Sequence, residues 1–266
     1  GVTVPLDFLR KIVLKRSLIW AFVVRDLKSR YIGSFMGFFW SVIHPFVLLA
    51  SYTFVFSIVF KIRVNQGTID NFTVFLFCGI LPWLYLQDTL LRSCNSVVDQ
   101  SHLIRKTLFP SEILPLTLVL SNLVTHLVGL LILMVILVYL NTIGWAVLLI
   151  PVYLVLLVVL SLGLGWLAAA LQVFLRDTIQ VLTVLLVFWF WFTPIFYEME
   201  MVPKVFRVWI EINPLSHIVE GYRSLLLENR VPDLMSLGWL TCSSLMAFGI
   251  GGFVFRNTKR DFVDVL

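Results

Sequence analysis

Charged residues are scarce in this 266-residue chain. Only 13% of its residues are Asp, Glu, Lys or Arg, against 60% hydrophobic and 15% aromatic residues, and the mean hydropathy is +0.98. Residues 113–175 contain none of the four charged types. Such a composition lies far outside that of soluble globular domains. Because about 20 apolar residues cross the hydrocarbon core as a helix, the sequence predicts a multi-pass membrane protein.

Catalytic and metal-binding motifs are absent as well. The three cysteines, Cys78, Cys94 and Cys242, are isolated and lack metal-ligand spacing, which predicts free thiols and no metal site. The sequence has no G-x-S-x-G, no H-E-x-x-H and no paired carboxylates at helical spacing, so no catalytic residues are predicted. It also lacks the P-loop pattern G-x-x-x-x-G-K-[ST]. If transport is uphill, its energy has to come from a partner.

The long apolar runs predict an all-α membrane fold with six transmembrane helices. The turn signal Asn141-Thr142-Ile143-Gly144 divides the longest run into two spans. The predicted spans are about 33–60, 71–92, 113–140, 145–173, 178–197 and 234–255, and a short tail follows at 257–266.

The distribution of Lys and Arg predicts the orientation. Fourteen of the twenty lie before the first span, around the second and fourth connections or after the last span, and six lie on the other side. Positive residues accumulate in cytoplasmic segments, so both termini are predicted to be cytoplasmic. The net charge of +5 is then mostly an orientation signal with contact to anionic membrane lipids, and no nucleic-acid partner is expected.

Residues 1–31 are too polar to cross the bilayer, and they predict an amphipathic helix in the cytoplasmic interface. Trp20, Val24 and Tyr31 lie near one face of this helix, whereas Arg25 and Lys28 lie elsewhere. The helix is either a simple membrane anchor or a collar at the mouth of a transport path.

The external segment 198–232 contains two short apolar pieces separated by Asn213-Pro214. It predicts a re-entrant hairpin of two short helices, which is tolerated at membrane depth only when it is buried in protein or lines a water-filled cavity. Glu220 and Arg223 are spaced i, i+3 on the second helix and can pair. An ordinary extracellular cap is the alternative.

The cytoplasmic connection between the second and third spans contains LIRKTLFP at 103–110. This stretch can form about two helical turns along the membrane surface, ending at Pro110. Apolar side chains would fill a groove on a partner and the two cations would lie at its rim. The apolar residues are Leu103, Ile104, Leu108 and Phe109, and the cations are Arg105 and Lys106. A plain interfacial turn is the alternative.

Ionisable groups within the predicted spans are few: His44, His126 and, near an end, Asp88. A carrier driven by an ion gradient usually needs such groups near the bilayer midplane. A lone membrane histidine more often satisfies a neighbouring backbone group or hydroxyl than it shuttles protons. The scarcity of these groups therefore disfavours an ion-coupled carrier that works alone.

Four segments, in this order, carry a resemblance to a known family. They are RDLKSRYIGSFMGFFWSVIHPFVLL at 25–49, GILPWLYLQDTLLRSCNSVVDQSHLIRKTLFPSEILPL at 79–116, FLRDTIQVLTVLLVFWFWFTPIFY at 174–197 and NPLSHIVEGYRSLLL at 213–227. Together they resemble the membrane subunit of ABC-2-type polysaccharide exporters, which move O-antigen, capsular polysaccharide or teichoic acid chains.

The resemblance implies a homodimer of six-helix subunits with two copies of a separate cytoplasmic ABC ATPase, in the bacterial cytoplasmic (inner) membrane. ATP and Mg would be bound by that ATPase, and this chain would hold no cofactor. The substrate would be a lipid-linked glycan that passes through a channel between the two subunits. Drug or lipid export on the same scaffold, an ion-coupled carrier and a non-transporting scaffold stay open as alternatives.

The resemblance also implies roles for three segments. Residues 103–110 become a coupling helix seated on the ATPase. The helix at 1–31 becomes a gate or interface helix, with candidate residues Trp20, Arg25, Asp26, Lys28, Arg30 and Tyr31. The hairpin becomes an external gate, with candidate residues Asn213, Pro214, Glu220 and Arg223.

Aromatic rings cover the C–H faces of sugars well while still allowing a glycan to slide. Phe35, Phe38, Phe39 and Trp40 open the first span beside the gate helix, and they are predicted to line the channel. The run FWFWF at 188–192 covers every side of a helix. Most of that second cluster is therefore assigned to the lipid belt or to packing.

Overall fold

The helices of the computed structural model follow the apolar runs of the sequence. The structure describes residues 15–30, 37–60, 72–106 and 109–266, and every regular element in those ranges is helical. Helix α1 spans Arg16–Ser29, and α2 spans Trp40–Thr53 and continues as a π-helical turn over Phe54–Val59. Tyr31 and Phe35, and the side chain of Phe38, lie outside the described part of the chain.

The remaining helices are α3 (Phe72–Asp99), α4 (Ser101–Lys106), α5 (Ile113–Tyr139), α6 (Ile150–Phe174), α7 (Thr178–Phe192), α8 (Lys204–Ile212), α9 (Pro214–Leu226), α10 (Leu234–Thr258) and α11 (Phe262–Val265). A 3-10 turn, Trp145–Leu149, leads directly into α6.

Four helical stretches are long and apolar enough to cross a membrane: Phe72–Asp99, Ile113–Tyr139, Trp145–Phe174 and Leu234–Thr258. The structure thus confirms an all-helical fold with four candidate spans among the described residues. The apolar helices at the first and fifth predicted spans, Ile43–Val59 and Thr178–Phe192, are shorter. The count of six spans and the re-entrant hairpin therefore stay predictions.

Helix α7 ends early for a local reason. Thr193 has extended backbone angles, φ −98° and ψ 131°, directly before Pro194. A proline disfavours helical angles in the residue that precedes it, so the predicted span at 178–197 cannot continue as one helix through this point.

Helix α3 lies at the centre of the helical assembly. It packs against α5, α6 and α9, and it also contacts α2 and α7. Its buried residues occur on every side of the helix, from Phe72 to Val97. A helix that is apolar all round is expected to be enclosed by other elements. Helices α2, α5, α6, α7 and α9 therefore enclose α3, whereas α1 packs on α5 and α10 packs on α6 and α9.

Small residues bring α6 and α10 into close contact. A Cβ added to Gly251 would lie 1.8 Å from the carbonyl oxygen of Gly163, and a Cβ added to Gly163 would lie 2.4 Å from the backbone of Ala247. Lipid gives no hydrophobic drive for helices to associate, so close backbone approach and van der Waals packing hold such an interface together.

The turn between α5 and α6 is the one predicted at 141–144. Asn141 adopts a left-handed conformation with φ 55°, which asparagine tolerates better than most residues. The amide nitrogen of Ala146 donates to Asn229 Oδ1 at 3.0 Å. This bond ties the turn to the segment that follows α9.

The Gly251→Ala substitution tests the α6–α10 contact. It is expected to destabilise the protein by about 1–3 kcal/mol, because the added methyl group must displace the backbone of α6. Thermal unfolding of the detergent-solubilised protein measures the loss. Gly249→Ala is the matched control on the same helix, since its Cβ would meet nothing within 4 Å. Equal melting temperatures for the two variants would contradict the contact.

Candidate functional site

A cluster of opposite charges joins α1 to α3. Arg30 Nε donates to Asp26 Oδ2 at 3.1 Å, and Arg92 of α3 also pairs with the carboxylate of Asp26. Arg30 Nη1 lies 3.9 Å from Asp88 Oδ2. The side chains of Asp26, Arg30 and Arg92 are between 16% and 26% exposed. Removing one member would leave a poorly hydrated charge, so the cluster fastens α1 to the body of the protein.

Helix α5 adds neutral partners to this charge cluster. Arg92 Nη1 donates to Asn122 Oδ1 at 2.9 Å, and Asn122 Nδ2 donates to Thr89 Oγ1 at 3.0 Å. Ser121 Oγ donates to Asp26, and Arg30 donates to Ser121 and Asn122. Three helices thus meet in one connected polar network.

One face of α1 packs on α5. Ile19 and Val23 are buried, and Asp26 and Arg30 continue the same face at helical spacing. Trp20 is 65% exposed. Partners on α3 and α5 bind Asp26 and Arg30, so this face is turned toward the body of the protein.

A groove of about 390 Å³ opens next to the charge cluster, between α2, α3 and α5. Its polar lining includes Arg30, His44, Gln87, Asp88 and Asn122. Its apolar and aromatic lining includes Trp40, Phe46, Phe77, Leu81, Leu84, Leu91, Val128 and Ile132. Such a groove suits an amphiphilic or ring-containing ligand, since few polar groups orient it while apolar surface contacts the rest.

One wall of the groove is bonded to α9. His126, which lines the groove, lies with Nε2 3.0 Å from the hydroxyl of Tyr222. Tyr85 flanks the same imidazole at 5.3 Å between ring centres, and its own hydroxyl donates to the carbonyl oxygen of Val119 at 3.2 Å. His126 thus has a hydroxyl partner, as predicted for a lone histidine in a membrane span.

Asn213 and Pro214 form the junction between α8 and α9. Asn213 Oδ1 accepts the amide of Leu215 at 3.0 Å, which caps α9, and Pro214 occupies the first turn. The same oxygen accepts Trp189 Nε1 at 2.8 Å, and Asn213 Nδ2 donates to Thr193 Oγ1 at 3.0 Å. The hairpin is thereby attached to the last turn of α7.

Arg223 is fully buried in α9, and it forms the predicted pair with Glu220, with Nη1 and Oε1 2.9 Å apart. Its guanidinium also donates to the carbonyl oxygens of Pro194 at 2.6 Å and Ile195 at 2.8 Å. The ring of Phe75 faces the guanidinium carbon at 3.5 Å. A buried guanidinium requires such partners, which here come from α3, α9 and the chain beyond α7.

The stretch predicted to be a coupling helix contains the short helix α4. Ile104 is buried, and the ring of Phe109 lies 5.4 Å from that of Phe22 on α1. Residues 107–108 and the side chains of Arg105 and Lys106 lie outside the described part of the chain. Pro110 follows α4 and precedes α5. The geometry therefore attaches α4 to the protein through its apolar side.

The two aromatic clusters differ in their surroundings. Trp40 is 52% exposed and lines the groove, and its neighbour Phe39 is 69% exposed. In the second cluster, Trp189 and Phe190 pack against Trp83, with ring centres 6.5 and 5.2 Å apart. Trp40 thus lines the groove, its channel-lining role stays a prediction, and two residues of the FWFWF run pack against α3.

Residues 17–227 match the family described as ABC-2 type transporter. The chain belongs to this family. The resemblance inferred from the four sequence segments is confirmed. The matched region of this ABC-2 transporter begins in α1 and ends directly after α9, so it contains the charge cluster, the groove and the hairpin.

Relatives match this ABC-2 family member along nearly their whole length. It is 28% identical to the O-antigen export system permease protein RfbA of Myxococcus xanthus over 258 residues, which cover 96% of this chain and 97% of that protein. The protein of the same name from Klebsiella pneumoniae is 29% identical over 251 residues, covering 91% and 92%. The polysialic acid transport protein KpsM of Escherichia coli is 21% identical over 253 residues, covering 93% and 95%.

Several residues of the site were not singled out from the sequence of this ABC-2 transporter. Ser121 and Asn122 complete the charge cluster, and Tyr222 binds His126. A weak signal was present, because Ser121 and Asn122 are adjacent polar residues in a helix that is mostly apolar. A polar pair inside a membrane helix is expected to face protein or a water-filled path.

The Asp26→Ala substitution tests the charge cluster of this ABC-2 transporter. It should destabilise the attachment of α1 by about 2 kcal/mol, because Arg30 and Arg92 lose their shared carboxylate. Hydrogen exchange of the α1 amides, read by mass spectrometry, should rise accordingly. Lys28→Ala is the matched control on the exposed side of α1. Unchanged α1 exchange in Asp26→Ala would mean that apolar packing alone holds the helix.

Proposed function

We propose that this chain is the transmembrane subunit of an ATP-driven exporter that moves a lipid-linked polysaccharide, of the O-antigen, capsule or teichoic acid type, across the bacterial cytoplasmic membrane. The observation that carries the proposal is the near full-length similarity to two permeases named for O-antigen export and a transporter named for polysialic acid. Local matches to a shared motif would not extend over more than 90% of each chain.

The groove supports this substrate class. A lipid-linked glycan combines hydrocarbon, a polar junction and sugars with C–H faces, and the groove presents both apolar side chains and a polar end at Arg30, Asp88 and Asn122. The exposed ring of Trp40 lies at its edge and offers a face on which a sugar can slide.

The translocation path is proposed to lie between two copies of this chain. The groove is open at the surface of the single chain, and Phe39 and Trp40 are more than half exposed beside it. A second subunit would complete the wall of the path, and such pairing follows the two-fold symmetry of most homodimers.

ATP hydrolysis is proposed to take place in two copies of a cytoplasmic ATPase, which would bind the ATP and Mg. This chain has no P-loop, so the coupling has to pass through a surface contact. Helix α4 is the proposed contact, with both termini on the same cytoplasmic side. The C-terminal end of α3 and the N-terminal end of α5 adjoin α4 along the chain, so a displacement of α4 reaches both walls of the groove.

The hairpin α8–α9 is proposed to be the external gate. Helix α9 packs against α3, α6 and α10, and Arg223 holds it to the chain beyond α7. The bond between Tyr222 and His126 joins this gate directly to the groove wall. Movement of the wall is therefore transmitted to the gate without an intermediate element.

Export of a drug or a lipid is the second candidate, and the apolar groove side chains Phe77, Leu81 and Ile132 favour it. The two candidates predict different phenotypes for a deletion strain, in which the gene for this chain has been removed. Loss of surface polysaccharide after deletion supports the glycan exporter. Unchanged surface polysaccharide would contradict that function and favour the second candidate.

The Trp40→Ala substitution, expressed in the deletion strain, tests the groove. Surface polysaccharide should fall about two- to tenfold, because one aromatic contact with the sliding glycan is lost. Immunoblotting of extracted glycan measures the amount. Trp145→Ala is the matched control, because Trp145 is 62% exposed and does not line the groove. Equal export by both variants would mean that Trp40 does not contact the glycan during export.

Charge reversal tests the coupling helix. Replacing Arg105 and Lys106 with Glu should weaken binding of the ATPase about tenfold, since rim charges steer and orient such a contact. Copurification with the ATPase at several salt concentrations measures the binding. Replacing Lys15 and Arg16 with Glu makes the same charge change at another predicted cytoplasmic site. If both double variants bind the ATPase like the unmodified protein, residues 103–110 are not the docking segment.

A further inference from the structure

The segment after α10 returns to the coupling helix. Helix α11, Phe262–Val265, contacts α4 and α6. The side chain of Phe262 is fully buried, and its ring centre lies 5.3 Å from that of Phe255 on α10 and 6.0 Å from that of Phe174 on α6. A single phenylalanine therefore connects the ends of two long helices beside α4.

A second tie holds the other side of the same region. Lys259 Nζ lies 3.1 Å from Glu112 Oε1, and the carbonyl oxygen of Glu112 accepts Trp166 Nε1 of α6 at 3.1 Å. Glu112 lies between Pro110 and the start of α5. Its side chain is 13% exposed, so the ion pair is partly shielded from water.

Helix α4 needs such support. A helix of six residues has too few hydrogen bonds to offset the cost of nucleation and is stable only when it is packed. Ile104 of α4 is buried, and α11 lies against the helix. If α4 could tilt independently, a displacement imposed on it would move α4 alone and would not move α6 and α10.

We propose that α11 and the Lys259–Glu112 pair position the coupling helix, so that movement imposed on α4 is passed to α6 and α10. Phe262 and Lys259 are positioning residues in this account, and neither touches the substrate or the ATPase. The path continues through the close contact of Gly163 and Gly251, which makes α6 and α10 move together. The inference rests on the proposed function, because it presumes that α4 receives the movement.

The first test replaces Phe262 with Ala in the full chain, expressed with its ATPase in the deletion strain. Surface polysaccharide should fall about fivefold, the scale of mutations that weaken coupling between distant sites. The amount of ATPase that copurifies with the chain should stay the same, because the docking surface is still present. Val263→Ala is the matched control, since the neighbouring Val263 is 52% exposed.

The second test does not depend on whether Phe262→Ala folds normally. Lys259→Glu should reduce export by repelling Glu112, and the double variant Lys259→Glu with Glu112→Lys should restore it by reversing the pair. Rescue shows that the pair itself is required, and the amount of folded chain in the membrane, measured for each variant, separates a loss of stability from a loss of coupling.

The outcomes separate the two proposals. Export that falls in Phe262→Ala or Lys259→Glu with the ATPase still bound, and returns in the charge-swapped variant, supports the positioning role. Normal export in both single variants, or no rescue by the swap, overturns it and leaves the exporter intact. An unmodified chain that supports no polysaccharide export and binds no ATPase overturns the proposed function itself.

Discussion

The carboxylate of Asp26 is the interaction on which the arrangement around the groove depends. It binds Arg30 on its own helix, Arg92 on α3 and Ser121 on α5, so three helices meet at one charge. Polar groups that are largely buried have few water molecules to replace a lost partner, and each therefore requires its partners in the fold. The network fixes the rotation of α1 and supplies the polar end of the groove.

The rest of the structure connects that network to the opposite end of the bundle. Helix α3 contributes to the charge cluster through Arg92 and to the surroundings of Arg223 through Phe75. Between them, His126 links the groove wall to Tyr222 on α9. One network contains the partly exposed Arg92 and the other the fully buried Arg223, and the central helix α3 contacts both.

Much of the fold follows from the sequence by elementary rules. Apolar length predicted four of the spans, Asn141 marked the turn between α5 and α6, and helical spacing predicted the pair of Glu220 and Arg223. The contacts of Ser121 and Phe262 could not be predicted. They depend on which helices become neighbours and on how these helices are shifted along their axes. The contacts of Asp26 with Arg92 and Ser121 were out of reach for the same reason, since these partners lie far away in the sequence.

Reconstitution tests directly whether ATP hydrolysis in another chain drives transport through this one. The chain is placed in proteoliposomes with its ATPase, and the movement of lipid-linked glycan extracted from the deletion strain is followed with and without ATP and Mg. Movement is expected only when ATP is hydrolysed, and no movement is expected from a proton or sodium gradient in liposomes that hold this chain alone. Gradient-driven movement without the ATPase would contradict this expectation.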